Sequence, residues 1–161
     1  MVETKDVRIE RTFDAPIEVI WAMWTEPEHF AQWYGPMGAR IPKAEMDVRV
    51  GGRRFIAMEM DTPNGTMGMH FVGEYREVVP TTRLVYTEAM ADADGNPVAP
   101  EQMGMPADAP AETSIVVELV AVDDRTRMTM THLGVPGDSP GGQGWAMAID
   151  KLEIYVSERA G

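Results

Sequence analysis

Apolar and polar positions alternate with period two over Val7-Arg8-Ile9-Glu10-Arg11-Thr12-Phe13, the pattern of a half-buried strand. The spacing then changes. Ile17, Ile20, Trp21 and Trp24 fall at i, i+3, i+4 and i+7, which predicts a helix over residues 15–24 with one apolar face. Asp14 stands at its cap position and Pro16 in its first turn. A second helical turn follows, and it places Trp33 nine residues after Trp24. Thr25 and Glu28 have the spacing of a capping box, and Gly35-Pro36 forbids continuation.

From Pro42 to Met90 the period returns to two. Ala44, Met46, Val48 and Val50 alternate with Glu45, Asp47 and Arg49, and Gly51-Gly52 makes a tight connection to a strand over Phe55–Met60. Pro63-Asn64-Gly65 signals a turn, then Met69–Val79 and Leu84–Met90 read as strands separated by Pro80-Thr81-Thr82. Ala91 to Ala111 holds four prolines and reads as an irregular loop within the domain. Glu112–Val122 and Arg127–Leu133 form a hairpin across Asp123-Asp124. Ser139-Pro140 starts a final helix whose seam is Trp145, Ile149, Leu152 and Val156. The order is strand, two helices, six strands, long helix. It predicts an α+β fold with a mostly antiparallel sheet, as a single domain over 1–161, with no internal repeat.

Composition narrows the function classes. A formal charge of −12 argues against nucleic acid, whose phosphates need clustered Lys and Arg, and against anionic membranes. The chain has no cysteine, which removes disulfides, thiolate catalysis and cysteine-held zinc together. Met1–Asp6 has no apolar stretch and no run approaches membrane-spanning length, so the expected location is the cytoplasm.

Most motif-like stretches dissolve on inspection. Gly137-Asp138-Ser139-Pro140-Gly141 has the form of a nucleophile elbow, but Pro140 has no N–H for the oxyanion and no histidine lies downstream. Ser139 reads instead as a helix cap. Asp92-Ala93-Asp94-Gly95-Asn96 begins like a calcium loop, yet its glycine is at the fourth position and Met103 stands where the closing glutamate belongs. It reads as a turn. Gly141-Gly142-Gln143-Gly144 lacks the context of a dinucleotide site and reads as a close approach to the sheet. His29, His70 and His132 share no metal-ligand spacing, so neither a metal nor a cofactor is expected.

The methionines carry more. There are 14, and Met58 with Met60, Met67 with Met69, and Met128 with Met130 are paired at strand period. Such pairs either fill an ordinary core or line an adaptable binding surface. His132 shares the face of Met128 and Met130. Tyr86 and Glu88 share a face too, and Glu88 is either an acid/base group among apolar side chains or a solvated or arginine-paired glutamate.

The stretch Met23-Trp24-Thr25-Glu26-Pro27-Glu28 to Gln32-Trp33-Tyr34-Gly35-Pro36 resembles the N-terminal signature of the START-like superfamily, in the branch similar to the activator of heat-shock-protein ATPase. The likeness continues through Asp47–Gly52, Gly73–Pro80, Arg83–Thr87 and Gly144-Trp145. It implies a helix-grip fold, a curved antiparallel sheet (β-α-α-β6-α) around the long C-terminal helix, with a cavity between them. The implied occupant is a small hydrophobic molecule. The implied walls are Trp24, Trp33, Met58, Met60, Tyr86, Glu88, Met128, Met130, His132, Trp145 and Ile149, with sheet members chosen by alternation and helix members by the seam. Two rivals stand beside this reading: a cyclase or aromatase acting on a polyketide-like substrate through Glu88 and His132, and a module that activates a chaperone ATPase. An exposed sheet edge leaves room for a homodimer.

Overall fold

Among the described residues seven strands form, all but one of them where alternation predicts. The computed structural model describes residues 6–36, 38–99, 112–134 and 140–160. The elements run β1 Val7–Phe13, α1 Ile17–Thr25, α2 Pro27–Trp33, β2 Arg40–Met46, β3 Arg53–Thr62, β4 Gly65–Val79, β5 Arg83–Ala91, β6 Glu112–Val122, β7 Arg125–Leu133 and α3 Pro140–Ala160. Each strand from β2 to β7 pairs antiparallel with the next, and β1 returns to pair with β7. This is the α+β helix-grip arrangement: a curved antiparallel sheet closed on its concave side by the helices.

Period two gives the sheet two different faces. On β3 the concave face takes Ile56 and Met58, while Phe55 and Ala57 turn outward to a small second cluster with Val72, Ala89 and Ala91. The concave core receives the predicted seam of α3, with Trp145, Ile149, Leu152 and Val156 all buried against it. One transverse row crosses five strands in register: Val7, His132, Ile115, Tyr86 and Tyr75. Just past that row, a register shift between Tyr75 and Glu77 bends β4 against β5. At Gly73 the two strands approach closely, since a Cβ there would lie 1.8 Å from the Thr87 carbonyl oxygen.

Helix starts depart from expectation. Thr25 is no cap for α2; it closes α1, and its hydroxyl donates to the Trp21 carbonyl at 2.9 Å. Glu26 holds the N-cap place of α2 with no side-chain bond, and Glu28 does not complete a capping box. Pro27 explains the change. It lacks an N–H to satisfy, and it holds the residue before it extended, at φ −104 and ψ 120. Asp14 likewise caps nothing: Pro16 occupies the N-cap of α1, without a side-chain bond.

β2 runs earlier than alternation suggests and stops at Met46, so Val48 and Val50 lie outside it and Val50 is exposed. The Asp47 N–H donates to the Arg53 carbonyl, and the Gly52 N–H to that of Arg49. The turn therefore begins before the two glycines. At the other expected stop, Gly35 has a φ of +88, which glycine adopts freely. Asp92–Asn96 is a turn, with the Asp92 carboxylate accepting from the N–H groups of Asp94 and Asn96. Gly144 has open space where its Cβ would be, so no close approach to the sheet depends on it. Ser139 lies outside the described residues.

Candidate ligand site between the sheet and the C-terminal helix

The roof is aromatic. Trp24 lies in the last turn of α1, Phe30 and Trp33 project from α2, Tyr34 follows, and Trp145 comes from α3. Trp24 stacks on Trp145 at 6.0 Å and meets Trp33 edge-on at 4.8 Å, while Phe30 stacks on Tyr34 at 4.5 Å. Trp33 spends its indole N–H on the Met23 carbonyl at 3.0 Å. Lys151 of α3 donates to the Tyr34 and Pro36 carbonyls, at 3.3 and 3.2 Å, and fastens the end of α2 to the long helix.

Sheet side chains form the floor. Met58, Tyr86, Met128, Met130 and His132 are all buried on the concave face, and Ile149 of α3 meets them. Met60 is not brought in with them. It is half-buried, outside the core cluster, and pairs across the strand with the exposed Met67.

Two polar groups interrupt this apolar interior. The first surrounds His132. Trp145 donates its indole N–H to His132 Nδ1 at 2.8 Å. An indole nitrogen can only donate, so Nδ1 carries no proton and Nε2 does. Nε2 then donates to the Thr113 hydroxyl at 2.7 Å, and that hydroxyl passes a longer bond, 3.4 Å, to the Glu88 carbonyl. Burial lowers the His132 pKa, against the opposing influence of Glu88 and Asp6, and keeps the ring neutral. Both ring nitrogens are occupied, so neither is free to act as the base of a Glu88–His132 pair.

The second group is built on Arg54, which alternation places beside Ile56 and Met58. Arg54 is 1 % exposed. Its guanidinium lies 3.5 Å from the Glu88 carboxylate, whose side chain is 10 % exposed, and 3.9 Å above the Tyr86 ring, with Phe30 and Tyr75 close by. Tyr34 donates its hydroxyl to Glu88 at 2.9 Å. Glu88 is therefore both concave and arginine-paired. Burial works against the charge on Arg54, but Tyr86, Tyr75 and Glu88 outweigh it and hold the guanidinium protonated. Burial pushes the Tyr34 hydroxyl well up, with Glu88 adding to the shift. It also raises Tyr86 and Tyr75, against the pull of Arg54.

Hydrogen bonding at this second group is incomplete. Arg54 Nε and Nη1, the Tyr75 hydroxyl and the Tyr86 hydroxyl are buried without a hydrogen-bond partner, as is Trp24 Nε1. The Tyr75 hydroxyl feels both the charge of Arg54 and a hydrogen-bond-like approach from it, although their geometry falls short of a full hydrogen bond. Sequence reading missed Arg54, Tyr75 and Tyr34. The available signal was the period-two step from Met58 back to Arg54, which the charge on arginine disguised as an outward position. An open depression of about 530 Å³ elsewhere, around Lys43, Arg53, Phe55 and Asp94, shares no residue with this cluster.

The profile of the family described as Activator of Hsp90 ATPase homolog 1-like protein matches residues 14–157. The chain belongs to this family. No curated protein matches it. Among solved structures, a protein from Nitrosomonas europaea is 24% identical, covering 96% of this chain and 95% of that one, with a TM-score of 0.74. One from Chromobacterium violaceum is 25% identical over 94% and 96%, with a TM-score of 0.73. An activator-homologue protein from Silicibacter pomeroyi is 20% identical over 96% and 99%, with a TM-score of 0.71. These bear out the resemblance and the fold. Among the described residues, no helix is long and apolar enough to cross a membrane.

Proposed function

We propose that this protein binds a small, mainly apolar molecule between the concave face of the sheet and the roof formed by α1, α2 and α3. One observation carries the reading: an apolar, aromatic and methionine-lined interior contains buried polar atoms that the protein itself leaves without hydrogen bonds. Folded proteins rarely leave buried donors without partners, and ligand sites combine apolar walls with a few placed polar groups. The Arg54 guanidinium lies beside Phe30 and Glu88, and Tyr34 bonds to Glu88, the least buried member of the group.

Native mass spectrometry of protein purified from its source, repeated after organic denaturation, tests the proposal. A discrete mass released on denaturation is the expected result. Met130→Phe, which enlarges a fully buried floor residue, is expected to abolish that uptake while leaving the circular-dichroism spectrum of a folded domain. Unchanged uptake in this variant overturns the placement. An apo mass in every preparation turns attention to a protein partner, the role that the family's namesake carries in its name.

A further inference from the structure

Resting on that reading, we infer that the polar end of the site selects an uncharged oxygen acceptor, a ketone or another carbonyl, in preference to a carboxylate. The unpaired groups point that way. A guanidinium can only donate, and Arg54 Nε has no partner, while Nη1 faces Glu88 Oε2 at 3.5 Å without a full hydrogen bond. The Tyr75 and Tyr86 hydroxyls are free to donate beside them, their rings 5.9 Å apart across paired strands. An occupant that completes this cluster brings acceptor lone pairs.

Charge decides which kind of acceptor. Glu88 already provides the counter-ion to Arg54, at 3.5 Å, and Tyr34 is spent on holding that carboxylate. One positive and one negative charge leave the pair neutral. A second carboxylate would face Glu88 across a single guanidinium in a buried place, where like charges repel strongly. The formal charge of −12 on the whole chain further opposes an incoming anion. A carbonyl oxygen takes the same donors without either cost.

Three probes of one size and skeleton separate the possibilities: ethylbenzene, acetophenone and benzoate, titrated into the intact protein and followed by the NMR shifts of the tryptophan indole N–H groups. Acetophenone is expected to bind at least about tenfold tighter than ethylbenzene, the value of one or two net hydrogen bonds, with benzoate weaker than acetophenone. Tyr75→Phe and Tyr86→Phe, which remove hydroxyls with no partner and so keep the fold, are each expected to cut acetophenone affinity by up to about tenfold and leave ethylbenzene unchanged. Acetophenone binding no tighter than ethylbenzene overturns the inference and leaves the apolar site standing. Benzoate binding tightest overturns it in favour of an anion. Equal weakening of all three probes in the tyrosine variants overturns the donor assignment. No binding by any probe removes the site and the inference together.

Discussion

Two parts of one row of the sheet make the sharpest contrast in the molecule. At one end His132 is buried, and each of its ring nitrogens has a partner in Trp145 or Thr113. At the other, two and three strands away across Ile115, Tyr86 and Tyr75 are buried as well and their hydroxyls have none. Burial alone does not distinguish the ends; satisfaction does. A closed network holds a helix to a sheet, here α3 to β7, and has nothing left to offer a ligand. An open cluster contributes less to the free fold and keeps its donors for something else.

The largest effect comes from breaking the charge pair at the open end. Arg54→Met is expected to cost about 3 kcal/mol in urea unfolding, the low end of the range for a stranded buried charge, because Glu88 keeps some contact with water. The double variant with Glu88→Gln should be more stable than Arg54→Met alone. If the double is worse, the pair is not what holds the charges there.

Trp145→Phe strikes the closed end. It leaves His132 Nδ1 without its donor, and a loss of about 1–3 kcal/mol is expected, plus the smaller ring's packing deficit. A further sharpening uses pH. The folded pKa of His132 lies below its unfolded value, so between the two the unfolded chain binds more protons. Stability should therefore fall as pH drops below about 6.5, and level off below the folded pKa. An imidazole titration by NMR with its midpoint at or above the unfolded value would contradict the closed network.

The smallest effect is the most telling. Tyr75→Phe and Tyr86→Phe in the ligand-free protein should change stability by less than about 0.5 kcal/mol in either direction, since no bond is lost. Thr113→Val, which also removes a single hydroxyl, leaves a buried N–H unpaired and should cost about 1–3 kcal/mol. Equal costs at the two ends would erase the comparison.

Period and spacing made much of this fold legible. Alternation placed Met58, Tyr86, Glu88, Met128, Met130 and His132 on one face, and the α3 seam came directly from its spacing. Helix starts were not legible from cap spacing, because proline changed which backbone groups needed partners at both α1 and α2. Met60 continued the alternation of Met58 correctly, but alternation carries no information about where the roof ends. The Arg54 cluster was hidden for a different reason. Tyr34 and Glu88 are far apart in the chain, and only the curl of the sheet and the docking of α2 bring them to 2.9 Å.

The topology also dictates when this interior can exist. Among the described residues β1 has no neighbour in the sheet except β7, and the Trp24 ring rests on Trp145, so the first and last thirds of the chain complete one another. During synthesis the amphipathic N-terminal segment, with its tryptophans, waits until nearly every other strand has left the ribosome. Such long waits favour non-native association. The nascent protein therefore spends most of its production as a half-built barrel with an uncovered aromatic segment. That exposure is the reverse side of drawing a roof from both ends of one chain.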